Sequence, residues 1–150
     1  NLNFKDKNIL KIWKKFKKVH VSASIDASHQ LGSEIREGFN WKQFIQNRKE
    51  MLVVCPDIYF EIAPTVSSLN INNLPILHKT LVETKLLEIN NIYLNILERP
   101  FHYNTQNLSL TEKENSSKTI SKHITWLQNN KASQHTIAEF KNIVNYMNIK

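Results

Sequence analysis

Two rhythms of apolar residues alternate along this chain, one spaced for helix and one for strand. Ile9, Ile12, Trp13 and Phe16 follow the i, i+3, i+4, i+7 spacing and predict a helix over 6–17, with Lys11, Lys14, Lys15 and Lys18 toward its other side. Residues 19–25 alternate strictly and predict a strand. The segment 26–38 reads as a loop, and Asn40 as the cap of a helix over about 41–52 carrying Trp41, Phe44, Ile45, Arg48 and Leu52 on one face. Residues 58–63 predict a second strand ended by Pro64, and 67–73 a polar loop. Asn73-Leu74-Pro75 opens a helix reaching about Glu88, with Leu74, Leu77 and Leu81 as its core stripe. Residues 92–97 predict a third strand. Ser109 and Glu112 form a capping box for a helix to about Gln128, and Ser133 caps a last helix bearing Ile137, Phe140, Val144 and Met147.

The order is α-β-α-β-α-β-α-α. Strands separated by helices imply parallel neighbours and an α/β fold. The strands are not uniformly apolar. Val19, Val21, Ala23 and Ile25 share one face of the first, and His20, Ser22, Ser24 and Asp26 the other. Ile58, Phe60 and Ile62 oppose Tyr59, Glu61, Ala63 and Thr65; Ile92, Leu94 and Ile96 oppose Tyr93, Asn95, Leu97 and Arg99. Two architectures fit this polarity: an open sheet with helices on one side, or part of a barrel whose lumen holds a polar ligand at the C-terminal strand ends. Three strands cannot close a barrel alone.

Composition narrows the chemistry. The chain has 150 residues, enough for one domain. Two glycines, Gly32 and Gly38, exclude a Gly-rich phosphate loop, and one cysteine, Cys55, excludes an internal disulfide and an all-cysteine metal cluster. Lys+Arg 20 against Asp+Glu 13 gives a net charge of +7, but 17 of the 20 are Lys and only Arg36, Arg48 and Arg99 supply guanidinium forks. That balance favours a solvated lysine surface over nucleic-acid recognition. The six histidines have no metal-ligand spacing and read as structural or surface groups. No membrane-spanning run and no signal-peptide pattern is present, so a cytoplasmic location and no membrane partner are expected.

Three segments, Val21-Ser-Ala-Ser-Ile-Asp26, Glu34-Ile-Arg-Glu-Gly38 and Trp41-Lys-Gln-Phe-Ile-Gln-Asn47, resemble the middle of radical S-adenosylmethionine enzymes. The branch most similar carries a shortened "twitch" form of the C-terminal SPASM extension. There a strand ending S-x-D precedes an I-R-x-G segment and a helix starting at Trp. Ala63-Pro-Thr-Val66 with Leu69-Asn-Ile71, and Tyr93-Leu-Asn-Ile-Leu97 with Pro100, resemble its next two strand ends. The resemblance spans about 2–105 and, loosely, the helices beyond.

The resemblance implies a partial (β/α)6 barrel, a [4Fe-4S] cluster on C-x3-C-x2-C, and reductive cleavage of S-adenosylmethionine to a carbon radical that abstracts hydrogen from a substrate. This chain has no such cysteine motif. Its match begins where the first half of that barrel should have ended, and its first residue is Asn1. The expectation is half of a TIM-like barrel with three parallel strands over 1–105, a helical extension over 106–150, and no activity in isolation. The absent half, or another copy in a homo-oligomer, would cover the open strand edges.

By resemblance, Ser24 and Arg36 fall on positions that contact the cofactor's methionine carboxylate, which suits a hydroxyl and a guanidinium. Asp26 falls near a ribose or amine, and Thr65, Val66 and Asn70 near the adenine or ribose edge. Glu61, Asn95 and Arg99 are candidates for the substrate pocket. Structural roles compete: Ser24 bonded to a loop amide, Arg36 paired with Glu34 or Glu37, Glu61 paired with Arg99, Asn70 capping a turn. The other functional class is a non-catalytic α/β binding module whose basic face, Lys11, Lys14, Lys15 and Lys18, meets nucleic acid or an acidic partner.

Overall fold

In the computed structural model, which describes residues 8–149, helix accounts for 54% of the described residues and strand for about 9%. The helices are α1 (Asn8–Trp13), α2 (His29–Ile35), α3 (Trp41–Val54), α4 (Leu74–Glu83), α5 (Leu110–Asn129) and α6 (Gln134–Met147). The strands are β1 (His20–Ala23), β2 (Tyr59–Ile62), β3 (Thr65–Val66) and β4 (Asn95–Ile96). They form two parallel two-stranded sheets, β1–β2 and β3–β4. The expected three-stranded half-barrel is not formed, and the architecture is mostly helical. Part of the first predicted helix, residues 6 and 7, lies outside the described residues.

The ladders are short for identifiable reasons. His20 pairs with Tyr59 and the register runs to Ala23 with Ile62. Ala63 N still donates to Ala23 O at 2.9 Å, but the next donor, Thr65 N, goes to the Asp26 carboxylate instead of to backbone. Between the second and third segments, Ile62 bridges Ile92, Asn95 N donates to Pro64 O, and Leu97 N to Val66 O. The missing rung falls at Pro64, which has no N–H to give. Pairing there shrinks to one bridge and a two-residue ladder. On its far side this third segment gives the Leu94 N–H to the Glu139 carboxylate of α6 at 2.9 Å, so a helix rather than a strand meets that edge.

The core follows the aliphatic strand face. Ala23, Ile25, Phe60 and Ile62 are buried with Leu74, Leu77 and Leu81 of α4, and with Ile120, Leu127, Phe140, Ile143 and Met147 of α5 and α6. The opposite strand face is open, with His20, Ser22 and Tyr59 exposed. Arg48 of α3 is buried against this core. Its Nε donates to Leu86 O at 2.8 Å and its guanidinium lies 4.1 Å from the Phe60 ring centre, while burial lowers its pKa to about 10.

α4 stops five residues before the predicted Glu88. Lys85 takes a left-handed conformation, φ 58°, while Leu86 N donates to Leu81 O and Lys85 N to Val82 O. This is the Schellman end of a helix, and it turns Leu86 and Leu87 into the core. α5 ends in the same way at Lys131, φ 58°. Glycine ordinarily serves these positions, and this chain spends its two glycines elsewhere. Lys131→Gly is therefore expected to stabilise the fold by about 0.5 kcal/mol in urea unfolding; a loss of that size contradicts the strain assigned to Lys131.

α4 and α5 meet through two buried histidines. His78 Nε2 lies 3.0 Å from Ile89 O, and a carbonyl only accepts, so Nε2 carries the proton. His78 Nδ1 is then an acceptor for His123 Nε2–H at 3.0 Å. Phe140 stacks on His78 and Trp126 on His123. Burial lowers the pKa of His78 to about 4, and burial together with His78 and Lys79 lowers that of His123 to about 3. Both are neutral in the folded protein, whereas the unfolded chain gains protons below about pH 6.5. The stability this arrangement gives is present above that pH and is lost as pH falls from there toward 4. Urea unfolding is expected to lose about 2 kcal/mol per buried histidine by pH 5, with a shallower loss in His123→Phe. Equal pH slopes for the variant and the parent would contradict the pairing.

Candidate functional site

β1 delivers Ser24, Ile25 and Asp26 beyond its last paired residue. The alternation holds as far as Ile25, which points into the core while Ser24 is exposed, and breaks at Asp26, which is only 7% exposed. A carboxylate that deep requires partners. Its Oδ1 accepts from Thr65 N at 2.9 Å, and its Oδ2 from Arg36 Nη2 at 2.8 Å and Nε at 3.1 Å. Arg36 Nη2 also donates to Ser24 Oγ at 3.2 Å. The ion pair Arg36 forms is thus with Asp26, not with Glu34 or Glu37, while Glu34 accepts from Gln30 at 2.8 Å.

Arg36 arrives here because the segment predicted as loop contains α2. That helix packs tightly at Gly32, where an added Cβ would lie 2.5 Å from Ala27 O and 2.7 Å from the Phe39 ring. No other residue permits this approach without a shift of backbone. Gly38, φ 77°, then turns the chain toward α3, whose cap is Asn40 accepting from Gln43 N at 2.9 Å.

A cavity of about 340 Å³ opens between the outer edge of β1 and this turn. Ser22, Ser24, Arg36, Asn40 and Gln43 supply its polar wall, and Ile25, Phe39 and Phe44 its apolar wall. Arg36 retains 42% side-chain exposure, so one flank of the guanidinium is available to a ligand while Asp26 fixes the other. A fixed guanidinium beside a hydroxyl is chemistry for a carboxylate or another oxyanion.

Thr65, Val66 and Asn70 adjoin this network in different ways. Asn70 is 1% exposed; its Nδ2 donates to Asp26 O at 2.7 Å and Thr65 O at 2.8 Å, and its Oδ1 accepts from Ser67 N at 2.8 Å. Its amide is consumed in clamping the loop. Val66 is fully buried in the core, and Thr65 is half-buried beside Asp26. A parallel clamp ties Ser28 N to Asn73 Oδ1 at 2.8 Å. The three substrate-pocket candidates do not line this cavity. Glu61 contacts His20 at 3.1 Å, Asn95 is exposed on β4, and Arg99 is exposed beyond it. Ser22, Asn40, Gln43 and Phe39 were missed as lining residues; the cap signal at Asn40 places that helix start, but without α2 nothing in the sequence brings it against β1.

The residues present do not fit an iron–sulfur cluster. Cys55 is 6% exposed with its Sγ donating to Leu10 O at 3.2 Å, and no group of three His, Cys, Asp or Glu among the described residues could hold a metal ion. Among the described residues, no helix is long and apolar enough to cross a membrane.

Asp26 is the structural centre of the site, which separates two variants. Asp26→Asn keeps an oxygen for Thr65 N but turns an NH2 donor toward Arg36 Nε and Nη2, so both of those hydrogen bonds go with the charge, and a cost of about 2 kcal/mol is expected. Asp26→Ala also strands the Thr65 N–H and is expected to cost about 3 kcal/mol. Equal unfolding midpoints in urea for the two variants would contradict this division.

No protein-family model, no curated protein and no solved structure matches this chain.

Proposed function

We propose that this chain is a fragment of a radical S-adenosylmethionine enzyme, the part that holds the methionine end of the cofactor. One observation carries the reading: Arg36, locked by the buried Asp26, presents its free flank beside Ser24 at the mouth of a polar cavity. Ser24 and Arg36 are the two positions that the resemblance assigns to the methionine carboxylate. They are 12 residues apart in sequence, and the fold brings Nη2 and Oγ to 3.2 Å. The reading rests on this local geometry and on the sequence motifs, not on a barrel.

S-adenosylmethionine supplies, in that family, the carbon radical for hydrogen abstraction. The residues of this chain bind and orient. Arg36 and Ser24 hold a carboxylate by charge-assisted hydrogen bonds, and Asp26 keeps the guanidinium from swinging into water. Asn70 and Asn73 fix the two loops from which Asp26 and Thr65 project. The one cysteine of this sequence, Cys55, is buried on Leu10 O, so cluster ligands have to come from other residues than these, and the isolated chain is expected to bind without turnover.

Calorimetry with S-adenosylmethionine and with its carboxyl methyl ester tests this. Weak binding of the first is expected, reduced about tenfold or more in Arg36→Ala, with no measurable binding of the ester. Equal affinity for parent and Arg36→Ala, or equal affinity for acid and ester, would contradict the proposal.

A further inference from the structure

Three of the four residues of the first helix's apolar stripe face outward. Leu10 is 1% exposed and Trp13 packs against the core, whereas Ile9, Ile12 and Phe16 are 39%, 50% and 63% exposed. The backbone continues in helical turns past α1, with Lys14 N on Leu10 O and Phe16 N on Trp13 O, so these three residues follow one another along the surface. Five exposed lysines, Lys11, Lys14, Lys15, Lys17 and Lys18, stand among them, and residues 8–19 contain no acid. The acid lining the small adjoining cavity is Asp57. That cavity is also lined by Val19 and Ile58, at the N-terminal ends of β1 and β2, opposite the end where Arg36 stands.

We infer that this surface docks on an anionic lipid bilayer, with Ile9, Ile12 and Phe16 entering the acyl boundary and the lysines meeting the headgroups. Charge complementarity calls for an anionic partner. The apolar residues decide its kind. A phosphate backbone gives exposed isoleucines nothing to be buried in, and the segment has no arginine fork for bases or phosphates. A lipid layer satisfies both halves, since a helix ridge lies along the interface with lysine stems reaching outward. The inference does not depend on the proposed cofactor site, which lies at the other end of the strands.

Co-sedimentation of the full chain with phosphatidylcholine vesicles, with and without phosphatidylserine, tests it. Binding is expected only to the anionic vesicles and falls as salt rises. Phe16→Ser and Ile12→Ser, at exposed positions that leave the core intact, are each expected to weaken binding about fivefold or more, while Ile76→Ser on α4 leaves it unchanged. Lys14→Glu with Lys15→Glu is expected to abolish it. Absence of binding to anionic vesicles overturns the inference. So does binding that tracks the lysines but ignores Phe16 and Ile12, or tighter binding to single-stranded RNA than to vesicles, which would mark a general polyanion surface.

Discussion

The cavity end of this molecule depends on satisfying the two oxygens of one buried carboxylate. Asp26 sits beyond β1 with little access to water, and the fold compensates by aiming a backbone N–H from β3 and a guanidinium from the end of α2 at its two oxygens. Each partner belongs to a different segment, so satisfying the charge also fixes where those segments lie. The same interaction ends the β1–β2 ladder, because the Thr65 N–H that a longer strand would use is spent on the side chain. Strand termination, loop placement and the pose of Arg36 are consequences of one requirement.

Helices carry the remainder. Pro64 withholds one rung between the second and third segments, and Glu139 takes the Leu94 N–H on the outer edge. With pairing limited on both counts, the aliphatic strand faces still need cover, and α4, α5 and α6 supply it through Leu77, Ile120, Phe140 and Ile143. The histidine pair at the α4–α5 contact shows how deep that packing is: both rings are buried, and burial lowers the pKa of each.

Much of this was legible in the residues. The caps at Asn40, Ser109 and Ser133, the Leu74-Leu77-Leu81 stripe and the inward alternation of β1 and β2 are local rules, and local rules were obeyed. Strand length was not legible, because it depends on which N–H groups find side-chain acceptors such as Asp26 and Glu139. α2 was hidden because Ser28, Gly32 and Ser33 look like a loop; the helix exists through the close approach of Gly32 to Ala27 and Phe39, a contact that spacing cannot reveal. Leu10, one position off the Ile9-Ile12-Trp13-Phe16 spacing, is the residue that anchors the first helix, so the spacing alone does not show that Ile9, Ile12 and Phe16 face outward. The gathering of Ser24, Asp26, Arg36, Thr65 and Asn70 came from motif resemblance rather than from periodicity, and Glu61, Asn95 and Arg99, read by the same resemblance, stand apart from the cavity.

The central claim is that Arg36 is held ready for a carboxylate. The chain has three arginines, so its guanidinium Nε–Hε resonances can be assigned individually by NMR. On titration with S-adenosylmethionine the Arg36 resonance is expected to move, while those of Arg48, buried on Phe60, and of exposed Arg99 stay in place. A stationary Arg36 resonance, or movement confined to Arg99, would contradict the account.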